Sequence, residues 1–187
     1  KWRRPQLDPT TGGFSGDVPY IIFRYAEALL NYAEAKAELG ELTQADVDLT
    51  INKLRARVGM PNMTLATIRT DPNWPDYGYT LSSALREIRR ERTVELMAEG
   101  FRRDDIMRWA AHKLIIGKRP KGAFYSDELK KAFVNLSVDA GNFLDPYKTS
   151  LVGAGSTWGF DPAKHYLLPI PINEMTLNPA IKQNPGY

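Results

Sequence analysis

Cysteine is absent from the 187 residues, which excludes a disulfide scaffold, thiol catalysis and cysteine-ligated zinc. Long apolar runs are also missing, and nothing approaches the roughly 18 uninterrupted apolar residues of a membrane span. Histidine is scarce. His112 and His165 are the only two, far apart and in neither a His-Glu-x-x-His nor a Glu-x-x-His spacing, so each reads as a surface or hydrogen-bonded residue. Ser156 has Ala154 and Trp158 where a nucleophile elbow places glycine, and no phosphate-loop lysine follows. No metal, cofactor or catalytic nucleophile is therefore expected. Charge of one sign is not in excess either, since the formal net charge is +3, too small to argue for a nucleic-acid partner.

What is present is the composition of a globular protein, 43% hydrophobic and 25% charged, in a chain long enough for a real core. The first residues, Lys1 to Gln6, hold neither an initiator methionine nor an apolar run. They read as the start of a piece of a longer protein, with any targeting signal upstream. Residues 1–19 contain Pro5, Pro9, Pro19 and three glycines and read as a connector. Proline and glycine number seven in 20–116 and fourteen in the shorter 117–187. The centre is therefore expected to be helical and the tail mostly loops.

Four helices are predicted. The first covers Tyr20–Leu39 and stops at Gly40, with Ile22, Ala26, Leu29, Ala33 and Ala37 on one face. Ile21, Phe23, Tyr25, Leu30 and Tyr32 widen its apolar surface, so it should have neighbours on more than one side. The second follows Thr43, a plausible N-cap, and runs to Val58 before Gly59 and Pro61. The two form an αα-hairpin of tetratricopeptide-like length. Thr80 caps a third helix to Glu99, ended by Gly100, and a fourth spans Arg103–Leu114. A short helix is expected near Asp127–Phe133 and an extended segment at Tyr166–Pro171, where Pro169 and Pro171 exclude a central strand.

Residues 86–109 carry the strongest constellation. On the third helix Leu81, Leu85, Ile88, Arg92, Glu95 and Glu99 share a face, so charges continue an apolar line. Two readings follow. Glu95 and Glu99, one turn apart, resemble the carboxylate pair of a retaining glycosidase. Alternatively Arg92, Glu95, Glu99, Arg102 and Arg108 form a structural ionic network, whose arginines would spoil a general acid. Seven arginines against six acids in this stretch describe a salt-bridged helix rather than a phosphate-binding stripe. The aromatic loop with Trp74, Tyr77 and Tyr79, and the pair Trp158 and Phe160, are either platforms for a ring-shaped ligand or plugs at helix ends.

Four separated segments, in order over about 20–187, resemble the C-terminal portion of SusD/RagB-type nutrient-binding outer-membrane lipoproteins of the Bacteroidota. They are the helix from Arg24 through Tyr25-Ala26-Glu27 to Tyr32-Ala33-Glu34-Ala35; Ile51-Asn52 with Arg55 and Arg57; and Glu91-Arg92, Glu95-Leu96, Glu99-Gly100-Phe101-Arg102 with Asp105 and Arg108-Trp109. The fourth is Pro169-Ile170-Pro171, Asn178-Pro179 and Gln183 to Tyr187. Arg103 and Asp104 depart from the aromatics usual there. The resemblance implies an all-α fold of tetratricopeptide-like helix pairs with a long loop-rich tail, residues 20–187 forming the C-terminal domain. It implies no enzyme activity, but capture of glycans, or peptides in some members, at the outer-membrane surface. It further implies a SusC-like TonB-dependent transporter as partner and membrane attachment only through an N-terminal lipidated cysteine. A helical-repeat module binding only protein remains the alternative among binding proteins. The resembling segments are architectural, so Trp74, Tyr77, Tyr79 and Trp158 stand as ligand-binding candidates on their aromatic character alone.

Overall fold

The computed structural model describes residues 22–149 and 157–187, and the connector 1–19 and the loop around Ser156 lie outside them. Helices dominate, in the order α1 (Tyr25–Glu38), α2 (Gln44–Leu49), α3 (Ile51–Arg57), α4 (Ser83–Glu95), α5 (Arg102–Arg108), α6 (Asp127–Ala132) and α7 (Ile172–Leu177), with two short 3-10 turns. The β-structure among the described residues is two isolated bridges, Phe124 with Phe143 and Val138 with Leu144. The fold is all-α. The chain divides into two compact units. The first holds the described residues up to Arg69 together with Ser83–Glu95; the second holds Thr70–Ser82 and everything from Leu96 onward.

In the first unit α1 packs on α4 and α3, burying Ala26, Leu29, Leu30 and Ala33 against Val47, Ile51, Leu54, Leu85 and Ile88. Among the described residues Ile22 and Phe23, just before α1, Tyr25 at its start and Leu39 just after it are exposed. The predicted helix from Thr43 to Val58 is two helices. Thr43 does cap it, accepting from Asp46 N–H while Asp46 accepts from Thr43 N–H, a complete capping box. At Thr50 the backbone leaves the helix (φ −118°, ψ −85°). Its hydroxyl donates to Asp46 C=O at 2.6 Å, a side-chain bond that competes with the helical ladder. Buried Asn52 then holds the following loop, accepting from Met63 N–H at 2.7 Å and donating to Met63 C=O at 3.1 Å.

The third predicted helix also ends early, at Glu95 instead of Glu99. Arg24 donates to the Glu95 carbonyl at 2.8 Å, satisfying an orphan acceptor with a cation at the negative end of the helix dipole. Beyond it Ala98 (φ +64°) and Gly100 (φ +90°) adopt left-handed backbone that no helix continues through. The predicted fourth helix is likewise shorter. α5 stops at Arg108, Ala110 turns left-handed (φ +48°), and a 3-10 turn covers His112–Leu114.

The second unit builds its core from Tyr77, Ile106, Trp109 and Ala111, with Leu81, Met107, Leu114 and Ile115 against them. Most of the tail is irregular but bonded. Asp145 is buried and pinned by Arg119 (2.6 Å) and Lys121 (2.6 Å). Gln183 imitates a strand partner for the extended segment, its amide bonded to Ile170 N–H (2.8 Å) and C=O (2.9 Å). Asn184 donates to Leu168 C=O and the Tyr187 hydroxyl to Leu167 C=O. Lys164 lies 4.3 Å over the Tyr187 ring. The six-residue α7 had no periodic signal; it starts immediately after Pro171, which sets the entry to a first turn.

Candidate functional site

The charged line on α4 is spent on other helices of its own unit. Glu95 accepts from Arg24 and from Arg57, both at 2.7 Å, one guanidinium on each carboxylate oxygen. Arg92 is buried and donates to Asn31 Oδ1 at 2.7 Å. Glu91 pairs with Arg55, and Arg89 reaches Glu38 at 2.7 Å with buried Glu34 at 3.8 Å. Of the remaining residues of this sequence group, Glu99 is half-buried and Arg102 exposed, while Arg108 pairs with buried Asp105 at 2.9 Å. α4 ends at Glu95 and Ala98 is left-handed, so no helical turn sets the Glu95 and Glu99 carboxylates side by side. Sequence spacing missed Arg24, Arg55 and Arg57 as partners because they come from helices remote along the chain.

The aromatic candidates lie in the second unit. Tyr77 is 2% exposed and meets Trp109 edge-on at 6.0 Å, which places its ring in the core. Tyr79, 6.2 Å from Tyr77, is 39% exposed, and its hydroxyl donates to Trp109 C=O. Trp74 is half-buried. Trp158 is 53% exposed, its amide N–H held by Lys118 C=O at 3.0 Å.

Phe160, Tyr166 and both histidines gather into one ring cluster that sequence spacing does not reveal. Phe160 lies 5.7 Å from His165 and 5.1 Å from Tyr166. Tyr166 meets His112 edge-on at 6.1 Å, its hydroxyl 2.9 Å from His112 Nδ1 and 3.1 Å from the His112 amide, which donates to it. Burial pushes the Tyr166 phenol above its ordinary value; the His112 amide opposes this, and the nearby Tyr79 hydroxyl adds to it. The result is a run of ring contacts from His165 and Phe160 through Tyr166 to His112, while Tyr79 and Trp158 are exposed rings of the same unit. Such faces stack on apolar faces of ring-shaped ligands. Among the described residues no group of three metal-ligating side chains gathers, and no helix is long and apolar enough to cross a membrane.

A family model described as the SusD family matches residues 1–187, and the chain belongs to that family. SusD-like protein P38 of Formosa agariphila is 38% identical over 109 residues, 58% of this chain and 20% of that protein. A crystal structure of a SusD-like carbohydrate binding protein from Bacteroides fragilis NCTC 9343 superposes with a TM-score of 0.60 at 32% identity, covering 86% of this chain and 28% of that one. The chain thus spans well under half the length of either relative.

Proposed function

We propose that the protein binds glycans at the cell surface without cleaving them and passes them to a SusC-like TonB-dependent transporter in the outer membrane. The observation that carries this reading is family membership over 1–187, together with likeness to a solved carbohydrate binding protein at 32% identity. The exposed rings support it chemically. Tyr79 and Trp158, both exposed, offer faces for the C–H surface of a sugar. Residues 20–187 act in this reading as the C-terminal domain, its helices stacking in tetratricopeptide-like pairs, with a lipid anchor as the attachment to the membrane.

The glycosidase reading has less support. Each Glu95 oxygen already accepts from a guanidinium, and a retaining pair needs two carboxyl groups about 5–5.5 Å apart across a sugar. The test is glycan binding by the full-length protein and by Trp158→Ala. Binding by the parent and weakened binding by the variant support the reading, whereas shortened glycan products would replace it with hydrolysis.

A further inference from the structure

Along α1 runs an apolar stripe that stays in solvent. Tyr25, Ala28, Tyr32, Ala35 and Leu39 are all exposed, Tyr25 to 69% and Leu39 to 70%. They recur at i, i+3, i+7, i+10 and i+14, and Leu39, just past the last turn, keeps helical backbone (φ −76°, ψ −9°). A turn of about 100° per residue gathers these positions on one narrow arc, away from the buried face of Ala26, Leu29, Leu30 and Ala33. A strict a/d spacing is that of a helix–helix seam, narrower than the stripe of a helix facing a globular core. Large and small side chains alternate along it. Ala28 and Ala35 leave hollows between the tyrosines and Leu39, the kind of holes that receive the knobs of a facing helix. The Tyr32 hydroxyl donates to Asp46 Oδ1 at 2.9 Å, so the middle ring is held before anything packs on it.

We infer that an amphipathic helix of the full-length polypeptide, outside residues 1–187, packs lengthwise on this stripe. The chain spans 20% of one relative and 28% of the other, so proteins of this kind carry most of their length beyond the matched part. A partner in the same polypeptide also fits the stripe better than a second copy does. Stable complexes between separate proteins use about 20–30 residues a side, and the stripe offers five. A tethered helix arrives at high effective concentration and needs no larger contact. Its inward residues are large and apolar at the same 3.5-residue spacing, set over Ala28 and Ala35, and its outer face is polar.

The test is photo-crosslinking of the purified full-length protein carrying p-benzoylphenylalanine in place of Tyr25, with the attached peptide identified by mass spectrometry. Lys53, exposed on α3, takes the same group in a control. A cross-link within one polypeptide to a peptide outside residues 1–187 is expected, at least tenfold stronger than from Lys53 and independent of protein concentration. Ala35→Trp should also lower the melting temperature by several degrees through overfilling of the seam, while Ala35→Ser leaves it in place. Cross-links only between two copies, only to residues 1–187, or to nothing would each overturn the helix partner. A melting temperature that does not respond to Ala35→Trp would overturn the close approach at the alanines, and the cross-link at Tyr25 decides the partner whether or not that variant folds.

Discussion

Glu95 shows how much of this chain's specificity sits in single charged residues. It receives guanidinium bonds from Arg24 and Arg57 and lends its carbonyl to Arg24, so truncation removes two ion pairs at once while the bond from Arg24 to the backbone carbonyl remains. Glu95→Ala is expected to lower unfolding stability by about 2 kcal/mol, the scale of hydrogen bonds to charged groups. Glu41→Ala, which opens only the exposed Lys36 pair, should hardly move the denaturation midpoint. Equal effects would mean that α4 is not held through this residue. Asp145 gives a pH-dependent case. Hydrogen bonds from Arg119, then Lys121, hold its carboxyl well below the usual carboxylate range against the opposing effect of burial. Its folded value is depressed, so its contribution is complete above the unfolded value near 3.9 and fades as pH falls towards the folded one. The melting-temperature gap between the parent and Asp145→Asn should be widest at neutral pH and narrow below about pH 4. A gap that widened in acid would contradict the assignment.

At the scale of elements, the ends of helices were harder to read than their existence. α4 is followed by Ala98 in left-handed backbone, a conformation that is unfavourable for a residue with a Cβ. Ala98→Gly is therefore expected to stabilise the protein by about 1 kcal/mol, measured by urea denaturation, and a loss of stability would show that the turn is set by packing of the methyl group. The apolar period of α1 and the cap at Thr43 were legible because both are local. The break at Thr50 was not, because Thr50 and Asn52 make bonds that a hydropathy pattern does not register. Nor was the end of α4, which Arg24 terminates from 71 residues away in sequence. The same distance hid the ring cluster. Phe160, His112 and Tyr166 meet through the fold, and only their aromatic character, not their juxtaposition, could be seen beforehand. Tyr77 illustrates the converse: the same residue type in the same loop lies in the core, since a tyrosine's composition does not say which way the loop turns it.

At the scale of the whole molecule, the family-like segments have a physical role that explains why they are spaced along the chain. Arg24 precedes α1, Arg55 and Arg57 end α3, and Glu91 and Glu95 lie on α4, with Glu38 at the end of α1 adding a further pair. Their ion pairs tie three helices into one unit. The measurement that tests this account most directly is a glycan array probed with the full-length protein, with each bound glycan then incubated with the protein and its products sized by chromatography. The account predicts that one or more oligosaccharides are bound and recovered at full length. Binding to no saccharide, or recovery of shortened products, would contradict it.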